Sequence, residues 1–84
     1  MNANATTPHA RIRLIGTPIG SEVSLSDFDE ALDPLQREQL LAYGLSQHHT
    51  IRVLQQKPMT IVLCDHVEIA LEHDVARYLW VEKT

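Results

Sequence analysis

DPLQREQLLAYGL, residues 33–45, carries a helix start, a helical body and a helix stop in that order, within a chain that otherwise reads as strand. Asp33 supplies a carboxylate for the first free amides, and Pro34 stands at the first helical position, where its missing N–H costs nothing. Gly44 offers the left-handed residue just past the end. Between these marks Leu, Gln, Arg, Glu and Ala dominate, all good helix formers. The spacing therefore predicts one short α-helix over about residues 34–43. At about 100° per residue, Leu35, Leu41 and Ala42 fall on one side. Leu40 and Tyr43 fall on another, with Gln36 and the preceding Leu32. A helix of roughly three turns is marginal alone in water, so one set must pack on the neighbouring strands. The expectation assigns Leu35 and Leu41 to the core and leaves Leu40 with Tyr43 nearer the edge, where a partner would find them. The reverse assignment stays open.

Working outward, residues 1–9 are small and polar without periodicity and read as a disordered tail, leaving residues 10–84 as a single domain. Ile12, Leu14 and Ile15 suggest a short extended piece, broken by turn residues Pro18 and Gly20. Val23 and Leu25 alternate with Glu22, Ser24 and Ser26 as a half-buried strand. The acidic stretch Asp27 to Asp33 reads as a turn or an added helical turn leading into the capped helix. After Gly44 the period changes, and Thr50 to Gln55 forms a strand with Ile51 and Val53 facing inward. Gln56 to Met59 is a turn, and the β-branched run Thr60 to Cys64 pairs back as a hairpin. Asp65 and His66 turn the chain into a strand at Val67 to Leu71. A one-turn helical segment follows near residues 73–76, and a last strand runs from Arg77 to Glu82. The fold class is mainly β: a small barrel of five to six short strands with one short helix. A barrel also removes exposed edges from so small a sheet.

The totals bound the function. Eighty-four residues allow one modest core and leave little room for a deep active site beside a scaffold. With 44% hydrophobic and 21% charged residues, the composition is that of an ordinary soluble globular domain. A net charge of -4, with no Lys/Arg cluster, argues against a nucleic-acid surface, because phosphate neutralisation needs a basic patch. No run approaches the apolar length that spans a bilayer, so no direct membrane insertion is expected, and cytoplasm is the default location. The single Cys64 excludes an internal disulfide.

Candidate chemistry is sparse. His48 and His49 are adjacent, but neighbouring side chains in an extended segment point to opposite faces, so the two do not easily share an ion. Ligand spacing such as two His at i and i+4, or Cys-x-x-Cys, is absent. Asp65-His66 with Glu68, and His73-Asp74, are drawable as acid and base pairs, but no Ser or Cys stands in a nucleophile setting. Cys64, inside an apolar run, reads as an inert buried thiol. The carboxylates of Asp27, Asp29, Glu30 and Asp33 lack EF-hand spacing, and no glycine loop suits a phosphate. No catalytic residue, resident metal or cofactor is assigned. Tyr78 and Trp80 share one face of the last strand, and Trp80, if exposed, is a natural interface anchor.

The junction LLAYGL at Leu40 to Leu45 followed by TIRVL, and the tail VEIALEHDVARYLWVE at Val67 to Glu82, resemble the ferrous iron transport protein A family over about residues 12–82. In that family a helix ends in Leu-Gly-Leu or a variant and a strand follows, and an alternating strand, a one-turn segment and a last strand close the chain. Two departures stand out. Ser46-Gln47-His48-His49 replaces the family's Pro-Gly after Gly-Leu, and Gln56-Lys57-Pro58-Met59 is a shortened hairpin turn. The resemblance implies an SH3-like FeoA-type domain and a non-enzymatic cytoplasmic accessory role in bacterial ferrous iron uptake. Its partner would be the cytoplasmic, GTPase-containing part of a membrane ferrous iron transporter. Similar domains also occur attached to metal-dependent repressors, but here no helix-turn-helix precedes the barrel. The residues expected to meet the partner are Leu40, Tyr43, Leu45 and Trp80. Two other readings remain: a metal-sensing or metal-carrying protein using His48, His49, His66 or His73, and a generic SH3-like adaptor gripping a peptide.

Overall fold

The computed structural model describes residues 11–84, so the expected tail at 1–9 lies outside the described residues. Ile12–Arg13 (β1) leads into a 3-10 turn at Leu14–Gly16, and Glu22–Phe28 (β2) precedes the helix Pro34–Ala42 (α1). Thr50–Gln55 (β3), Thr60–Cys64 (β4) and Val67–Leu71 (β5) follow. The chain ends with a one-turn helix, His73–Ala76 (α2), and Leu79–Lys83 (β6). The strands form one antiparallel sheet in the order β1-β6-β2-β3-β4-β5. Register shifts between Leu25 and Asp27, and between Val53 and Gln55, mark bulges that bend β2 and β3. β1 and β5 stand at the two ends of the hydrogen-bonded ladder.

Alternation holds where strands are half-buried. Val23 and Leu25 on β2, Ile51 and Val53 on β3, Val62 and Cys64 on β4, and Leu79 and Val81 on β6 all enter one core. Ile69 and Leu71 do so from β5, whereas Val67 at its start is exposed. Three segments differ from expectation. The first extended piece is only two residues, because the 3-10 turn buries Leu14 under the sheet. β2 continues through Phe28 into the acidic stretch expected to turn, since Asp27 and Phe28 pair with Trp80 and Leu79. The last strand starts at Leu79 rather than Arg77, because Arg77 caps α2 and Tyr78 donates its backbone N–H to the Val75 carbonyl.

Both punctuation marks of α1 are realised. The Asp33 carboxylate accepts from the Leu35 N–H at 3.0 Å, and Pro34 is the first helical residue. At the other end Gly44 has φ +97°. The Gly44 N–H donates to the Leu41 carbonyl and the Leu45 N–H to the Leu40 carbonyl, each at 3.0 Å, which is a Schellman motif. The assignment of helix faces is reversed. Leu40 is 5% exposed and Leu45 fully buried, whereas Leu35 and Leu41 are 62% and 45% exposed. The Schellman turn accounts for this, because it folds the residue after the glycine back over the residue four before it. Leu45 and Leu40 thus enter the core together, with Leu32 from the other end of the helix.

A polar clamp holds the first loop. Gln56 donates from Nε2 to the carbonyls of Leu14 (3.0 Å) and Thr17 (2.8 Å), and its Oε1 accepts from the buried Thr60 hydroxyl at 2.9 Å. The Leu14 carbonyl also accepts from the Thr17 N–H and hydroxyl, so Gln56 and Thr17 together satisfy the polar groups of this loop.

Candidate functional site

The Schellman turn leaves Tyr43, one residue before Gly44, 60% exposed beside the edge strand β5. Two shallow clefts meet at this ring. One, of about 280 Å³, is lined by Tyr43, Val67, Glu68, Ile69 and Ala70. The other, of about 210 Å³, runs between the C-terminal half of α1 and β5, with Gln39, Tyr43, Ala70 and Val75 on its walls and Leu40 beneath. Neither reaches the roughly 300 Å³ at which small-molecule pockets begin. Each is a surface groove, bounded on one side by a strand that, among the described residues, pairs only with β4 and so presents backbone groups outward. Val67, 51% exposed, extends the apolar strip.

The four expected contact residues therefore separate. Tyr43 is on the surface, while Leu40 and Leu45 are core residues and offer no side chain to a partner. Their expected placement at the edge is corrected by the C-terminal cap that buries them. Val67 and Ala70 on β5 take their place beside Tyr43, and sequence reasoning missed them because alternation assigned Val67 inward. The Gly44 stop sets Leu45 back against Leu40, and the sheet beneath then covers that pair rather than Leu35 and Leu41.

Trp80 is half-buried at the opposite end of the sheet. The register aligns Arg13 on β1, Trp80 on β6 and Asp27 on β2 as one row across three strands. The guanidinium carbons of Arg11 and Arg13 lie 4.7 and 4.3 Å from the indole ring centroid, within cation–π range. Arg11 also bonds Asp27 from Nη1 at 2.7 Å, and Arg13 donates to the Arg77 carbonyl. Asp29, beside this row, is held below the ordinary carboxylate value. The backbone N–H of Ala31 is the main cause, opposed by desolvation and aided by the Trp80 side chain and the Arg13 and Arg11 charges. Trp80 is thus occupied as the centre of an intramolecular charged stack. Tyr78 does not join it, and takes the Arg77 guanidinium instead.

The histidines also part. His49 pairs with Asp65, Nε2 to Oδ2 at 3.0 Å, while His48, His66 and His73 are exposed. Cys64 is buried below the His49–Asp65 pair, and burial, with the Asp65 charge second, pushes its thiol pKa up. Among the described residues no helix is long and apolar enough to cross a membrane.

No protein-family model matches the chain, and no curated protein sequence matches it. Solved structures do match. A manganese-dependent transcriptional repressor superposes with a TM-score of 0.82 at 22% identity over 98% of this chain, which spans 47% of that protein's length. An iron uptake regulatory protein, FeoA, superposes with a TM-score of 0.74 at 23% identity, covering 89% of this chain and 99% of that one. FeoA from Chlorobium tepidum gives 0.78 at 20% identity over 86% of this chain and 70% of its own. The fold is therefore the small SH3-like domain of FeoA proteins, also found as part of the longer repressor.

Proposed function

We propose that this chain is a non-enzymatic cytoplasmic interaction module of ferrous iron uptake that binds the cytoplasmic domain of a membrane ferrous iron transporter and modulates it. The observation that carries the reading is the Tyr43–Val67–Ala70 strip beside β5, whose outer edge is unpaired among the described residues. An exposed Tyr next to a valine and an unpaired strand edge combines an anchor with main-chain pairing capacity, two means by which small β domains take partners. The FeoA-type fold supports the iron-uptake setting, since the FeoA match extends over almost the whole of that protein and the repressor match over less than half. An aromatic peptide groove of the adaptor kind has less support, because Trp80, Tyr78 and Phe28 are partly buried while Tyr43 stands apart.

The experiment is a titration of the purified transporter cytoplasmic domain with this chain at low and physiological salt. Tyr43→Asp and Val67→Asp change exposed positions, so both variants fold, and each weakens binding at least tenfold. Leu40→Asp would unfold the domain and tests nothing about contact. Absence of association at both salt concentrations, or full affinity in both variants, overturns the proposal.

A further inference from the structure

His49 ends the loop before β3, Cys64 ends β4, and Asp65 opens the turn into β5. The β3–β4 register sets Ile51 opposite Cys64, so the residues just beyond that pair meet at the end of the ladder. His49 and Ile51 are two apart and share a face, which brings the imidazole over the Cys64 side. Cys64 and Asp65 are adjacent, and in a regular strand their side chains would diverge. Asp65 instead has φ +57°, which breaks the alternation and returns its carboxylate to the same side. One ligand atom from each residue, Nε2 or Nδ1, Sγ and a carboxylate oxygen, thus lies within 4.8 Å of the others.

We propose that His49, Cys64 and Asp65 form a binding site for one thiophilic divalent cation of the zinc class. A tetrahedral ion with Zn–N and Zn–O near 2.1 Å and Zn–S near 2.3 Å spaces its ligand atoms about 3.3–3.6 Å apart. Nε2 and Oδ2, at 3.0 Å, have to open by about 0.4 Å, and with the ligand atoms no more than 4.8 Å apart, the imidazole and carboxylate have to close on the sulfur by at most about 1.5 Å. The required movement is side-chain rotation at the surface, because the Asp65 side chain is 72% and that of His49 31% exposed. Thiolate, imidazole and carboxylate together suit zinc and exclude the oxygen-seeking magnesium and calcium class. Coordination removes the Cys64 thiol proton to solvent and ends the Sγ donation to the Gly44 carbonyl at 3.6 Å. Three protein ligands leave a fourth position for water or an incoming donor group. His48 and His66 flank the cluster in sequence but contribute no atom to it. The site adjoins the Tyr43 strip, since Cys64 pairs with Val67 across the β4–β5 ladder, but it shares no residue with that strip and stands whether or not the transporter reading holds.

The test uses the full chain under reducing conditions, with zinc followed by calorimetry and cobalt(II) by absorption. The expected result is one ion per chain and a sulfur-to-cobalt charge-transfer band. Cys64→Val, similar in volume and suited to a strand, removes the band. His49→Ala, a partly exposed loop change, weakens binding at least tenfold, and His66→Ala leaves it within twofold. Circular dichroism checks that each variant is folded, and His49→Ala carries the test if Cys64→Val is not. Lack of stoichiometric binding, a cobalt spectrum without the sulfur band, or unchanged affinity in His49→Ala overturns the site.

Discussion

Truncating Leu40 to Ala should cost several times more stability than truncating Leu35, although both are leucines of the same nine-residue helix. Leu and Ala are both strong helix formers, so propensity changes little at either position and packing decides the difference. Leu40 is 5% exposed, and losing about three methyl-sized groups at ~0.8 kcal/mol each removes about 2.4 kcal/mol of transfer energy. A residual cavity against Leu45 raises this toward 3–4 kcal/mol, roughly the middle of the measured range for buried leucines. Leu35 is 62% exposed, so little more than a third of that transfer energy applies. The slight helical preference for Ala offsets part of it, leaving a loss below about 1 kcal/mol. For a domain of this size the first loss is a large fraction of the total stability. Urea unfolding followed by circular dichroism, with a shared m-value, gives both numbers. Equal losses, or a larger loss at Leu35, would refute the orientation of α1 and with it the exposure of Tyr43.

Gly44→Ala should lose about 1–2 kcal/mol in the same assay, from backbone strain alone, since φ is +97° and an added Cβ meets no atom within 4 Å. Gly16→Ala, equally unobstructed but without a positive φ, is the control and should be neutral or slightly stabilising. Asp29 makes an acid-side contribution. Its folded pKa is lowered from the ordinary 3.8, so its stabilisation is complete above that value and disappears as pH falls through the lowered one. Asp29→Asn should flatten that part of the profile, which unfolding midpoints measured between about pH 2 and 5 would show, and an unchanged acid slope would contradict it.

Much of the fold was legible in the chain because local rules suffice for it. Asp33, Pro34 and Gly44 each act within a few residues of themselves, and the α1 cap geometry follows from them. Alternation at Val23 and Leu25, Ile51 and Val53, and Leu79 and Val81 needs only that one face of each strand be covered. What failed did so for long-range reasons. β2 runs on through Phe28 because β6 is there to pair with it, and Val67 is exposed at the start of β5, the end strand of the sheet among the described residues.

The sequence by itself determined that a short capped helix interrupts a set of short strands, since caps and two-residue periodicity are properties of neighbouring residues. Only the tertiary structure decided which face of that helix is covered. Two leucine sets were of similar apolar weight, and the choice fell to Leu40 because the turn at Gly44 brings Leu45 back against it over the sheet. The same holds for the His49, Cys64 and Asp65 cluster and for the Trp80 stack. Residues far apart in the chain meet there only after the β3–β4 and β1–β6–β2 registers are set, and no periodicity along the chain encodes a meeting between strands.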